Sequence, residues 1–136
     1  VGNHCILANN ASIAGHVHVG DHAILGGMSG VHQFCHIGAH SFIAATSLVV
    51  KDVPPYVMAS GNGAKPYGLN TEGLKRRGFD PDAINAIKRA YKTVYRKNFS
   101  VDQAIASIAE DPTITPSHNI DIFIVFIKAS KRGIIR

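Results

Sequence analysis

Read in sixes from its first residue, the chain repeats itself. An aliphatic side chain opens each of the first nine hexads: Val1, Leu7, Ile13, Val19, Leu25, Val31, Ile37, Ile43 and Val49. The second position is Gly or Ala in seven of the nine, and the fifth is small or β-branched throughout. A period of six fits neither the helical period of about 3.6 nor the alternation of a strand with one open face. It fits a coil whose flat sides are one hexad long and whose corners are tight. The aliphatic residue then points inward and stacks on its copies above and below, and small residues let the corners close. No coil buries its own face, so the stack is what is stable. The pattern predicts a parallel β-helix over residues 1–58.

The register breaks at Asp52-Val53-Pro54-Pro55. Proline gives a ladder no donor, so the sheet is expected to end there. Residues 60–70 are rich in Gly, Asn and Pro and read as a connector. Beyond it the period becomes helical, so residues 59–136 read as a connector and a small α-helical domain. Asp80-Pro81 is an N-cap followed by a first helical residue. Ile84, Ile87, Tyr91, Val94 and Tyr95 mark one face. Ser100 and Gln103 form a capping box ahead of Val101, Ala104, Ile105 and Ile108. The run Ile120–Ile127 has the β-branched residues of a strand. A lone strand would have no partner there, and the run is taken as a helix.

Charge follows the same division. Residues 1–54 hold one Lys and two Asp, whereas residues 55–136 hold thirteen Lys or Arg against seven acids. The basic half suits nucleic acid, phosphate groups or an acidic protein partner, although most of these residues read as solvated helix faces. Lys75, Arg76, Arg77, Lys88 and Arg89 are the candidate contacts. No apolar run has the length of about 20 residues that a membrane span needs, and no signal peptide is visible. Cys5 and Cys35 match neither a zinc spacing nor a disulfide framework, which reads as reduced thiols in a cytoplasmic protein. With no initiator Met, and opening inside a pattern already under way, the sequence reads as a piece of a longer chain.

Seven of the eight histidines fall within the first 40 residues. His32, His36 and His40 stand four apart, and His16 and His18 flank one valine, which invites a metal reading of the γ-class carbonic anhydrase kind. Spacing by four converges only on a helix, and this segment is not helical. The unbroken register resembles that of the hexapeptide-repeat transferases, whose coils hold three hexads, and on that count His4, His22 and His40 form one vertical column, and His18 and His36 another. A metal is therefore not expected at these histidines, and no cofactor is expected.

The blocks LANNASIAGHV, GGMSGVHQFCHIGAH, KDVPPYVMASGN and GLNTEGLKRRGF resemble consecutive segments of the UDP-N-acetylglucosamine O-acyltransferases, a family of hexapeptide-repeat transferases. The resemblance covers nearly the whole chain as the C-terminal half of such an enzyme, and NTEGLKRRG is its most specific part. It implies a left-handed β-helix with three hexads per turn, hence three coils here, against the usual right-handed crossover. It implies transfer of a 3-hydroxyacyl chain from acyl carrier protein to the sugar nucleotide by a cytoplasmic homotrimer, early in lipid A synthesis, without nucleic acid. The family's general-base histidine lies in an HxxHDC block just before the segment matching Val1-Gly2-Asn3. That block is absent, and His4 is not its equivalent. A non-catalytic remnant is the competing reading.

Residue by residue, Gly15 matches the oxyanion-hole glycine and His16 a histidine lining the active site. His32 and Gln33 match residues near the sugar nucleotide. Asn70, Glu72, Arg76 and Arg77 match the nucleotide-contacting segment, where guanidinium forks suit diphosphate oxygens. Ala45 matches the position that measures acyl length.

Overall fold

The computed structural model describes residues 1–96 and 98–136. Eight two-residue strands recur every six residues: β1 (Ile6–Leu7), β2 (Ser12–Ile13), β3 (His18–Val19), β4 (Ile24–Leu25), β5 (Gly30–Val31), β6 (His36–Ile37), β7 (Phe42–Ile43) and β8 (Leu48–Val49). Strands β1 to β5 each pair in parallel with the strand eighteen residues on, as in Ile6↔Ile24, Ser12↔Gly30 and His18↔His36. Three hexads therefore make one coil, and the coils form a left-handed parallel β-helix followed by a few helices.

The hexad positions now have physical reasons. Leu25, Val31, Ile37, Ile43 and Val49 are the inward first-position residues and are almost fully buried. The fifth-position amides of Ala23, Ser29, Cys35, Ser41 and Ser47 bond back to the carbonyl three residues earlier, closing each corner. Where that residue is Ser29 or Ser41, its hydroxyl donates to the same oxygen at 2.7 Å. The second position is small where the next coil lies on it: a Cβ on Gly26 would sit 2.5 Å from the Ala45 nitrogen. The fourth position has positive φ in every hexad from His4 to Thr46, between 56° and 66°. That is the third residue of a type II-like turn. His and Asn, which tolerate this region better than most residues, hold the place in five of those eight corners.

The prolines do not end the β-helix. After β8 the spacing shortens from eighteen to sixteen, and a further partial coil forms. Val53 bridges to Ile37, and β9 (Val57–Ser60) pairs in parallel with β7 through Phe42↔Met58 and Ile43↔Ala59. The expectation failed because Pro54 and Pro55 sit in the corner rather than in the ladder. The Val57 amide closes that corner onto Pro54 at 3.4 Å, and Tyr56 takes the positive φ, at 71°. Proline suits the second place of such a turn. Residues 60–70, read as a connector, contribute β10 (Lys65–Leu69), antiparallel to β9 with a bulge between Pro66 and Leu69.

The chain forms two compact units, Val1–Asn70 with Ser130–Arg136, and Thr71–Ala129. The tail joins the first unit as one more rung. Asp52 bridges in parallel to Ile134, through bonds from the Asp52 amide to Gly133 at 3.0 Å and from the Ile135 amide to Asp52 at 2.8 Å. The second unit contains α1 (Thr71–Arg76), α2 (Pro81–Arg96), α3 (Val101–Glu110) and α4 (His118–Ala129). Helices α2, α3 and α4 pack on one another. Ile87, Val94, Ala104, Ile108, Phe123 and Ile127 are among their buried side chains, and Leu74 is buried on α1. Asp80 caps α2 through the Ala83 amide at 2.8 Å. The Ser100–Gln103 capping box is reciprocal, at 3.2 and 3.0 Å. The Ile120–Ile127 run is helical, and its spacing by three and four turns Ile120, Phe123 and Ile127 inward.

Candidate functional site

Each coil has three corners, and corner residues eighteen apart stand above one another. One vertical edge carries Gly15-His16 and, one coil on, Gln33-Phe34, joined by the Phe34 amide donating to Gly15 at 3.1 Å. The His16 ring lies parallel to Phe34 with centroids 4.8 Å apart. Gly15 is exposed, and a Cβ built on it would meet nothing within 4 Å. Its amide makes no hydrogen bond among the described residues. An amide without a neighbouring side chain, open to solvent, can approach a developing negative charge. His32 and Gln33 are exposed beside it. The Gln33 carbonyl is 3.3 Å from His32 Nδ1 and accepts from Arg132 Nη1 at 3.3 Å.

The structure thus brings four sequence-predicted residues, Gly15, His16, His32 and Gln33, onto one edge. It places Ala45 on a different one, below Gly27, with the Thr46 amide donating to Gly27 at 2.9 Å. Asn70 belongs to a third edge. It is 6 % exposed, its side-chain amide donates to the His40 carbonyl at 3.0 Å, and its backbone amide donates to Tyr56 at 2.7 Å. Its visible work is to fix the chain as it leaves the coils.

Glu72 and Arg76 are exposed on α1. Arg77, just past that helix, is half-buried and lines a cleft of about 290 Å³ with Gly78, Phe79, Asp80, Ala83 and Asn119. Burial pulls its guanidinium below the ordinary arginine pKa. A guanidinium, an amide and an aromatic ring around one cleft suit a planar or phosphorylated ligand.

The histidine columns are real stacks. His4–His22 and His22–His40 centroids are each 4.9 Å apart, and His18–His36 are 4.7 Å apart. Rings stacked face to face do not turn their nitrogens to a common point, and among the described residues no group of three or more His, Cys, Asp or Glu could hold a metal ion. Tyr56 continues the first column, 5.9 Å from His40, and burial pushes its phenol above the ordinary range. Burial also raises the Cys35 thiol, with Arg132 opposing and Asp52 reinforcing the shift.

Two residues escaped sequence reading. Asp52, 2 % exposed, accepts from the His36 amide at 2.8 Å and from the Ser130 hydroxyl at 2.6 Å. Arg132 reaches Gln33 from 99 residues away. The signal for Asp52 was its place at a fourth hexad position, where a lone acid stands among His, Asn, Met, Phe and Thr.

Residues 52–135 match the family described as Udp N-acetylglucosamine O-acyltransferase, Domain 2. The acyl-[acyl-carrier-protein]–UDP-N-acetylglucosamine O-acyltransferase of Pseudomonas fluorescens is 53% identical over all 136 residues, which span 52% of that protein. The corresponding solved structures superpose closely. The one from Acinetobacter baumannii gives a TM-score of 0.94 at 45% identity, with 100% of this chain and 52% of that one covered. The one from Moraxella catarrhalis gives 0.94 at 46%, with the same coverage. The chain spans about half the length of the curated relative it matches.

Proposed function

The chain belongs to the UDP-N-acetylglucosamine O-acyltransferase family, and from that premise we propose that the protein it is part of acylates UDP-N-acetylglucosamine, opening lipid A synthesis. The donor is a 3-hydroxyacyl chain on acyl carrier protein, and the acceptor is the sugar 3-hydroxyl. The observation that carries this reading is the bare, open amide of Gly15 beside His16 and one coil above Gln33.

In this mechanism a histidine outside the present chain takes the proton of the 3-hydroxyl. A base with a pKa near neutrality suits the step. The alkoxide oxygen attacks the thioester carbonyl, and the Gly15 amide donates to the oxyanion that forms. The tetrahedral centre then collapses, the C–S bond breaks, and the thiolate recovers the proton from the imidazolium. His16, stacked on Phe34, lines the site. Gln33 and His32 contact the sugar nucleotide. Asn70, Glu72, Arg76 and Arg77 serve the nucleotide and its phosphates, with the Arg77 cleft as the supporting geometry. Ala45 limits acyl length, and its exposure on a corner supports that role.

The exposed basic side chains Lys75, Arg76, Lys88 and Arg89 favour docking of the acidic carrier protein on the helical unit, with attraction that falls as salt rises. Met28, Phe34, Leu48 and Val50 are exposed on the coils and support a homotrimer built against neighbouring prisms. No helix is long and apolar enough to cross a membrane among the described residues, which accords with a cytoplasmic enzyme.

Gly15→Ala in the full-length protein tests the assignment. The added methyl has open space, so the trimer should form and melt as before. A reacting carbonyl displaced by about 1 Å should nevertheless lose about a hundredfold in turnover. Full activity in that variant would remove Gly15 from the reaction. A full-length protein that transfers no acyl group to UDP-N-acetylglucosamine would overturn the function itself.

A further inference from the structure

Carbonyls at the third hexad position share one partner. Those of Asn3, Asn9, Gly15, Asp21, Gly27 and Ala39 each accept a backbone amide from the following coil, from His22, Met28, Phe34, His40, Thr46 and Tyr56 respectively. Two carbonyls at this position take no such amide among the described residues: that of Ala45, which accepts the Thr46 hydroxyl at 2.6 Å, and that of Gln33. The regular donor to Gln33 would be nineteen residues on, at residue 52, but the last coil has shortened to a spacing of sixteen, and Asp52 lies instead beside His36. The Asp52 amide is committed to Gly133 at 3.0 Å. In place of a backbone donor the Gln33 oxygen takes Arg132 Nη1 at 3.3 Å, with His32 Nδ1 at the same distance.

Arg132 is delivered there by a fixed backbone. Ser130 donates to the buried Asp52 carboxylate at 2.6 Å. Gly133 and Ile135 are in the ladder, and Ile134 and Ile135 are 4% and 2% exposed. Exposed arginines contribute little when long side chains must be ordered to make one contact. Here the residues on both sides of Arg132 are already held, so the ordering cost falls on its side chain alone. The contact supplies a donor to a corner that the short coil leaves without its backbone amide, and that corner carries Gln33.

We propose that Arg132 is a positioning residue for the sugar-nucleotide site, holding the Gln33 corner in the geometry that a regular coil would otherwise enforce. This rests on the reading of Gln33 as a substrate contact. Loss of the guanidinium lets the Gln33 peptide rotate, so the cost falls on binding of the acceptor rather than on the chemical step.

The test uses the full-length enzyme with Arg132→Met and Arg132→Lys, each alone and with Gln33→Ala. Arg132→Met should raise the KM for UDP-N-acetylglucosamine about three- to tenfold, within the range of coupled neighbours. The kcat and the KM for acyl carrier protein should stay within about twofold. Arg132→Lys, which keeps one donor, should recover part of the loss. In the Gln33→Ala background, Arg132→Met should change the acceptor KM by less than about twofold. Unchanged KM in Arg132→Met, or effects of the two substitutions that simply multiply, overturns the proposal. Calorimetry with UDP-N-acetylglucosamine on the unsubstituted enzyme separates the two readings. No binding there sinks the functional assignment and this proposal together, whereas binding without coupling sinks the proposal alone.

Discussion

The coil unit and the helical unit both take aliphatic side chains out of water, but over different distances. In the coils, each inward residue is covered by its own copy eighteen positions away, so burial is borrowed from the next coil. Ile6 is 56% exposed and Leu7 40%, whereas Leu25, which holds the same hexad place as Leu7 one coil on, is 0% exposed. In the helical unit, Phe123, Ile127, Ile87 and Ile108 meet in one core contributed by three helices. A repeating stack therefore loses order locally, from an end or a damaged rung, whereas a single core is expected to fail as a whole. Backbone tolerance differs too: the second-position glycines Gly2, Gly20, Gly26 and Gly38 touch the next coil, whereas α2, α3 and α4 contain no glycine.

The strongest way to break this contrast is Phe123→Ala. Removing a fully buried ring should cost about 3–5 kcal/mol. Hydrogen exchange should then accelerate throughout α2, α3 and α4 while amides of the second and third coils stay protected. Uniform acceleration across both units would show that they share one cooperative core.

Gly26→Ala attacks the other side. Its methyl would stand 2.5 Å from the Ala45 nitrogen, so neighbouring coils must part, at a cost of about 1–3 kcal/mol. Loss of protection should concentrate at Gly26 and Ala45 and leave the helices untouched. Gly15→Ala, with open space at the same kind of corner, is the internal control for stability.

A smaller effect is expected from Ser100→Ala, which removes half of the capping box. It should lower helical stability by about 1 kcal/mol, read as a shift in denaturant midpoint for the helices alone.

The mildest perturbation is alkaline pH. Tyr56 and Cys35, both in the coil unit, have folded pKa values raised chiefly by burial. Each holds its proton more tightly folded than unfolded. Their stabilisation is therefore complete below the unfolded pKa values, about 8.5 for Cys and about 10 for Tyr, and declines as pH rises beyond them. Melting of the coil unit should soften between roughly pH 9 and 11. Tyr56→Phe should flatten the upper part of that decline, and an unaltered slope in the variant would remove Tyr56 as its cause.

The register of the coils was legible because nine aliphatic residues repeat without a gap, and repetition averages away local ambiguity. The corner conformation was not. Positive φ is a backbone property, and Met28, Phe34 and Thr46 adopt it with side chains that give no hint of it. The last coil was misread because a change of spacing from eighteen to sixteen shifts the phase just where prolines mimic a stop. At the site, i to i+18 arithmetic found the histidine columns, and the same step relates Gly15 to Gln33, an alignment that the sequence reading did not draw. It could not find Arg132, whose partner is a main-chain oxygen and whose place depends on the irregular coil. The helical caps were readable because their chemistry is local, as Asp80, Ser100 and Gln103 illustrate.

The chain leaves the coils at Asn70, tied to His40 and Tyr56, and rejoins them at Ser130, tied to Asp52. The ladder itself therefore does not require residues 71–129, and in engineering terms the helices are a cassette with two clean splice points. A relative's helices could be grafted between Asn70 and Ser130 without renumbering a single rung. The tail that locks the splice could equally pair with the last coil of another molecule. Shortening the cassette until its tail no longer reaches home should convert an intramolecular rung into an exchanged one, turning a fastening into a domain swap.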